Sequence, residues 1–444
     1  MTDTPVGKPV APPLISTADD ALEASTMRLV RRRFLPVLVL GFLVAYLDRV
    51  NVGFAALTAN SDLGLSPTDF ALGAGVFFWG YFLFELPSNL VLEKVGARIW
   101  VSRILITIGL VSMAMVAIRG PVSFEIVRFL LGAAEAGLFP GVIYFMSLWF
   151  PKRYKAQDMA LFMMAIPLSG FIGAPVSSWL LALDGALGLR GWQWMYLIES
   201  VPAIVIGLMC YRLLSDTPAN APWLSREQQV WLQNRLAQEK VQVQPGVKIS
   251  KWQLLKDVNL LCYGAIFFGV TAGSYGLSLW LPLILKGLGL TTFETGLMGA
   301  VPFAFGCVAT IVWGWSSDIR KERVWHTAIA SFVSALGLGL CLLTVSPALT
   351  VAFLSVSALG LYGVKGPFFA LATERLPPSL AAAGIAVITS LAGLAGFVGP
   401  YVVGWLKTVS NSYSAGLGFL ALLCVVSGLL TLIQASLQGT KQRD

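Results

Sequence analysis

Charged residues are scarce in this sequence. Only 12% of its 444 residues are Asp, Glu, Lys or Arg, against 56% hydrophobic, a balance far outside that of soluble domains. Histidine occurs once, as His326, so a nucleophile paired with a histidine base is excluded, and so is a histidine-rich metal site. The five cysteines, Cys210, Cys262, Cys307, Cys341 and Cys424, show no CxxC spacing and fall in apolar runs, which excludes a disulfide framework or a zinc site as an expectation. There is no HExxH and no Walker sequence. No metal, no cofactor and no enzymatic activity are therefore expected. Residues 1–33 begin polar, turn weakly helical, and lack the short apolar run and small-residue cleavage site of a signal peptide.

What the chain does have is length of apolar run, with a mean hydropathy of +0.75. Twelve runs are long enough to cross a hydrocarbon core of about 30 Å as helices. They cover 34–57, 70–92, 100–119, 122–150, 157–183, 193–214, 258–285, 293–317, 325–345, 348–373, 381–406 and 414–436. Continuous runs of this length specify helices, whereas a barrel would show short alternating segments. The net charge of +8 invites a nucleic-acid reading, and the distribution of the 31 Lys and Arg residues answers it. On this span assignment 24 fall on the side of the two termini, only Arg119, Arg190, Lys286 and Lys407 on the other, and Arg49, Arg128 and Lys365 within spans. That is the positive-inside pattern. It predicts a multi-pass protein of a bacterial inner membrane with both termini cytoplasmic, the lipid bilayer as its surroundings and no nucleic-acid partner.

The chain repeats itself. The longest polar segment, 216–256, separates six spans from six, giving bundles at 34–215 and 257–436 between tails at 1–33 and 437–444. Glu93 and Asp318, in the short charged turns after the second and eighth spans, are 225 residues apart; GFIGAP from Gly170 and GFVGP from Gly396 are 226 apart. Two features with one offset predict an all-α membrane protein of two pseudo-symmetric six-helix bundles. The glycine motifs offer small residues where two helices can approach closely.

Five ionisable residues fall deep within the runs: Asp48 and Arg49 in the first, Arg128 and Glu135 in the fourth, Lys365 in the tenth. At ~3 kcal/mol each, burying them in lipid would cost ~15 kcal/mol, so they must pair or be hydrated. Arg128 and Glu135 are seven residues apart, two helical turns and ~10.5 Å, and share a face. Lys365 maps through the 226 offset to the level just below Glu135. The competing reading is that these residues only knit helices together as buried ion pairs; Glu85 and Glu199, nearer helix ends, are read that way. With both acids ionised the five sum to +1, and with both protonated to +3. An incoming carboxylate would compete with Asp48 and Glu135 for the arginines and so promote proton uptake, and protons would promote anion binding.

These residues resemble the anion:cation symporters of the major facilitator superfamily. YLDRVNVGFA from Tyr46, YFLFELPSNLVLEKVGARIW from Tyr81, RFLLGAAEAGLFPGVIYFMSLWFP from Arg128 and GWQWMYLIESVPA from Gly191 carry the resemblance. It implies that Asp48 and Glu135 carry protons and that Arg49 and Arg128 hold a substrate carboxylate, with Tyr46 facing the same site. The segment from Asn89 through Glu93 to Arg98 is similar to the superfamily's gating motif, with Asp318 as its counterpart in the second half. Relatives that carry sugar acids show asparagines where this chain reads ITSLAGLAGF, with Thr389 and Gly393. Few amides remain to read a polyhydroxylated chain, while Phe77, Phe78, Trp79, Tyr275 and Trp280 offer aromatic surface. With Lys365 available for a second carboxylate, the expected cargo is an aromatic dicarboxylate such as phthalate. Tartrate comes next, then hydroxyphenylacetate, an aldonate or a hexuronate. The resemblance implies a monomer that moves a small organic anion with protons by alternating access; an exporter and an anion exchanger are the alternatives.

Overall fold

The computed structural model describes residues 17–241, 256–375 and 381–440. Among the described residues every regular element is helical. Twelve spans are long and apolar enough to cross a bilayer. In chain order they are Asp19–Leu63, Pro67–Val95, Ala97–Ala117, Pro121–Trp149, Lys152–Leu181, Gly191–Leu213, Val258–Gly287, Thr292–Arg320, Val324–Leu343, Pro347–Arg375, Gly384–Ser410 and Ser414–Leu437. Eleven start and stop within five residues of the predicted limits. The first does not.

Its helix runs unbroken from Thr17 to Leu63, so residues 17–33 of the stretch assigned to a tail are the first helix prolonged beyond the apolar run. Side-chain contacts hold the prolongation down. Arg31 pairs with Asp158 at 2.6 Å, and Glu23 accepts from the Tyr154 hydroxyl at 2.8 Å. A second helix, Arg226–Val241, occupies the start of the segment between the halves. Residues 1–16, 242–255, 376–380 and 441–444 lie outside the described residues, and with them most of the remainder of that segment and the end of the carboxyl tail, whose first residues, 437–440, continue the last helix.

Local chemistry marks the repeat more densely than the two offsets do. Ser66 and Asp69 form a capping box at the start of the second span, each bonding the other's backbone N–H. Thr291 and Glu294, 225 residues on, do the same for the eighth. Such boxes satisfy amides that a helix start leaves free. Pro121 opens the fourth span and Pro347 the tenth; proline suits a first turn, where its missing N–H costs nothing. Both of these spans are also interrupted, at Ala136–Gly137 and at Val364. Gly137 has φ +89°, which favours glycine. The Ala136 carbonyl accepts from the Ser88 hydroxyl at 2.6 Å, and Ser88 in turn accepts from Trp100 Nε1 at 2.9 Å.

Packing follows the repeat. The second span lies on the fourth and the third on the sixth; the eighth lies on the tenth and the ninth on the twelfth. Between halves the contacts join first to seventh, second to eleventh and fifth to eighth. Both glycine motifs sit on that seam: the space beside Gly170 is filled by the ring of Phe303, and that beside Gly396 by Phe78. Far from the termini the halves touch through the Thr68 and Thr408 hydroxyls, 2.7 Å apart, and through Phe70 on Trp280, centroids 5.3 Å apart. At the opposite end the ion pairs stay within a half. Arg98 binds Asp216 at 3.3 Å, and Arg323 binds Asp318 and Glu374 at 2.6 and 3.2 Å. Among the described residues no ion pair or side-chain hydrogen bond joins the halves there.

Candidate functional site

A helix turns about 100° per residue, so neighbours in sequence point apart and residues three apart share a face. The first span uses both consequences. Tyr46 and Arg49 look toward the other half, while Asp48 and Asn51 look into their own.

The Arg49 guanidinium is enclosed. Its Nε and Nη2 donate to Glu135 Oε1 at 2.9 and 2.6 Å, and Nη1 donates to the Tyr275 hydroxyl at 2.8 Å. Tyr275 and Tyr46 hydroxyls are 3.0 Å apart. The rings of Tyr46, Phe77 and Tyr81 lie 4.7, 5.1 and 5.1 Å from the guanidinium carbon, distances at which a ring face attracts a cation. Arg49 thus bridges a carboxylate of its own half and a phenol of the other. Arg128, 1% exposed, has no carboxylate partner. Its Nη1 donates to the backbone oxygen of Asp48 at 3.3 Å, and its guanidinium lies 4.9 Å from Phe77. Both arginines therefore rest on one phenylalanine.

Asp48 does not pair with either arginine side chain. Its Oδ1 accepts from Ser112 at 2.9 Å and from Asn51 Nδ2 at 3.2 Å. The same Asn51 Nδ2 donates to Glu199 Oε2 at 2.8 Å, and Ser177 donates to Glu199 Oε1 at 2.7 Å. Asp48 and Glu199, at 1% and 4% exposure, thus share one amide, with no cation bonded to either carboxylate. Asp48 Oδ2 and Glu135 Oε2 are buried with no hydrogen-bond partner. Each of these two carboxylates thus presents one oxygen to its partners and leaves the other free.

Lys365 begins the helical segment just after the break in the tenth span, and its Nζ sits 4.8 Å from the ring centre of Tyr362 without a carboxylate partner. The Thr389 hydroxyl bonds back to its own helix, to the carbonyls of Ile385 and Ala386 at 2.9 and 3.1 Å. Of the residues expected to take part in gating, Arg98 and Asp318 are engaged as described above. Glu93 is exposed, and Asn89 Oδ1 is buried without a partner. The structure therefore brings together Tyr46, Arg49, Glu135 and Tyr275, sets Arg128 beside them across Phe77, and holds Asp48 in a separate polar cluster one helix face away.

Asn51, Ser112 and Ser177 were not singled out from the sequence, and Glu199 was read as structural. Asn51 was findable, since it stands three residues after Asp48. Glu199 also changes the charge count. With Lys365, three cations face three carboxylates, so the group is neutral when all are ionised and becomes anion-seeking only as the acids take protons.

Comparison with known proteins agrees with this architecture. Residues 38–400 match the Major Facilitator Superfamily. A protein of Agrobacterium vitis named "Putative tartrate transporter" is 45% identical over 93% of this chain and 92% of its own. The "Quinolone resistance transporter" of Acinetobacter baumannii is 38% identical over 94% of this chain and 97% of its own. A crystal structure of a D-xylose-proton symporter superposes with a TM-score of 0.72 at 15% identity, covering 90% of this chain and 96% of that one, which speaks for the fold. Twelve spans in two repeated bundles, a charged centre between them and a family match over most of the length lead to one statement: the chain belongs to the Major Facilitator Superfamily and is a membrane transporter, not an enzyme.

Proposed function

We propose that this transporter takes up an organic carboxylate together with protons by alternating access across a bacterial inner membrane, with its termini cytoplasmic. The observation that supports this most directly is the double engagement of Arg49, by Glu135 within its half and by Tyr275 across the seam. A substrate carboxylate offers the geometry that Arg49 already accepts, a fork of donors meeting acidic oxygens. When it takes that place, Glu135 loses its cation and gains a proton. Asp48, linked through Asn51 to Glu199, is the second proton carrier on this reading. Arg128 holds the far side of the anion, Tyr46 and Tyr275 close over it, and Lys365 receives a second carboxylate from the other half.

For the cargo, the relatives named for tartrate favour a small hydroxy-dicarboxylate over the aromatic dicarboxylate that the missing amides suggested. Thr389, whose hydroxyl is spent on its own helix, adds little to reading a sugar acid, so aldonates and hexuronates rank lower. The relative named for quinolone resistance supports a second reading, proton-driven export. One experiment separates these. Purified protein in liposomes, given an inward proton gradient, is offered labelled tartrate, phthalate and an aldonate. Gradient-driven accumulation of tartrate supports the proposal; accumulation only under an outward-directed driving force supports export. Undiminished uphill uptake in both Asp48→Asn and Glu135→Gln proteins would refute proton coupling through these residues.

A further inference from the structure

A groove of about 830 Å³ lies away from the central seam, between the first helix and the fifth span. Its two ends differ in chemistry. One end carries Arg28 and Arg32, in the stretch RLVRRR immediately before the apolar run that starts at Phe34. The other is lined by Leu35, Val39 and Leu40 of the first helix and Leu161 of the fifth span. Leu40 is eight residues beyond Arg32, about 12 Å along the helix, and Leu40 and Leu161 are each 46% exposed. The groove therefore runs from the charged boundary of the membrane into its hydrocarbon.

The four basic residues of this stretch are not equivalent. Arg31 is taken by Asp158 and by Gln157 Oε1, the latter at 2.8 Å. Arg33 donates to the Leu213 carbonyl at 3.1 Å and lies on the Trp223 ring. Arg28 and Arg32 are exposed and have neither an ion pair nor a hydrogen bond among the described residues. They are four apart, so two like charges stand on one helix face, an arrangement that is unfavourable unless an anion sits between them. The polar end thus carries positive charge, with no acidic residue on its lining.

We propose that this groove holds one anionic diacyl phospholipid. Its phosphate lies between Arg28 and Arg32, and one acyl chain lies along Leu35, Val39, Leu40 and Leu161. Basic side chains at the edge of the apolar zone attract anionic headgroups, and the exposed leucines gain from a chain that fills the groove beside them. The bound lipid would brace the prolonged first helix, which also carries Arg49, against the fifth span.

The test uses the full-length protein released from mixed micelles and weighed intact by native mass spectrometry, with phosphatidylglycerol and phosphatidylethanolamine of identical chains as competing probes. At about fivefold per arginine, wild type should retain phosphatidylglycerol over phosphatidylethanolamine by about 25-fold. Arg28→Gln/Arg32→Gln should bring the ratio close to one with an unchanged thermal transition, and Arg28→Lys/Arg32→Lys should keep it. Equal retention of the two lipids by wild type, or an undiminished ratio in the glutamine variant, overturns the proposal. So does competition by glycerol phosphate as effective as that of the lipid, since the apolar wall would then contribute nothing.

Discussion

Replacing Glu135 with glutamine tests the idea that substrate and carboxylate compete for one guanidinium. In the wild-type structure Glu135 Oε1 accepts two charge-assisted hydrogen bonds from Arg49, with both side chains largely shielded from water, at 11% and 1% exposure. Charge centres about 4 Å apart attract by about 4 kcal/mol at an effective dielectric constant of 20. Each such hydrogen bond contributes about 1.5 to 3 kcal/mol. Glutamine keeps one neutral hydrogen bond and removes the charge, so the cost of detaching Arg49 for a substrate falls by about 2 to 3 kcal/mol, or about 30- to 150-fold in affinity. The gain should be largest at high pH, where wild-type Glu135 is ionised and competes. At low pH, where it carries a proton, variant and wild type should converge. Equilibrium binding of labelled tartrate as a function of pH reads this directly: wild-type affinity falls as pH rises, and the variant's profile is much flatter. Counterflow exchange should persist while gradient-driven accumulation is lost. A variant that binds as wild type does at every pH, with the same slope, would refute the competition.

Other consequences are as specific. With their hydroxyls 2.7 Å apart, Thr68 and Thr408 replaced together by cysteine should cross-link under mild oxidant and stop transport, and reductant should restore it; transport unaffected by complete cross-linking would show that this seam does not open. Asn51→Leu removes the amide that Asp48 and Glu199 share and leaves buried acceptors short of a donor, at a cost of about 1 to 3 kcal/mol. A lowered thermal transition in detergent checks this, and an unchanged transition would deny the cluster a stabilising part. Lys365→Met should weaken a dicarboxylate about tenfold or more relative to its monocarboxylate analogue. A wild-type ratio in binding competition would free Lys365 from the site. Gly132, packed against the carbonyl of Phe77, has no room for a larger side chain; Gly132→Leu should cost about 1 to 3 kcal/mol or prevent folding, read as folded yield by size exclusion.

The fold was legible because hydrocarbon demands long apolar helices and because duplication writes itself into the chain. The Ser66–Asp69 and Thr291–Glu294 boxes, with Pro121 and Pro347, add local chemistry at the same spacing. The start of the first helix was not legible. Apolar periodicity ends where the bilayer ends, but this helix continues because Glu23 and Arg31 find partners on Tyr154 and Asp158, contacts between residues far apart in sequence. The site was legible in its members and not in its wiring. Asp48 and Arg49 are neighbours in sequence but lie about 100° apart around the helix, so they join different networks. The i, i+3 relation that joins Arg49 to Tyr46 and Asp48 to Asn51 was available. That Asn51 would reach Glu199, or Arg49 reach Tyr275, depends on which helices pack on which, and no spacing within one helix reveals that.

The wiring bears on how binding could be transmitted. In this structure the side-chain hydrogen bonds that join the halves among the described residues are those of Tyr275 with Arg49 and Tyr46, and that of Thr68 with Thr408. Arg49 and Tyr275 are 226 residues apart, the offset of the repeat, so equivalent positions of the two halves face each other where the pseudo-symmetry axis would run. An element on that axis moves least when the halves rock and is well placed to sense both. On the proposed reading, an anion that draws Arg49 away from Glu135 must also change its bond to Tyr275, since both use one planar guanidinium with fixed donor directions. Proton uptake by Glu135 and loosening of the central contact between halves then become two results of one displacement. Asp48, whose carboxylate is bonded on another face of the same helix, would feel it less directly, through the bond its backbone oxygen accepts from Arg128 and through movement of the helix. The proton on Glu135 should therefore track occupancy of the site, and that on Asp48 the conformation of the first span.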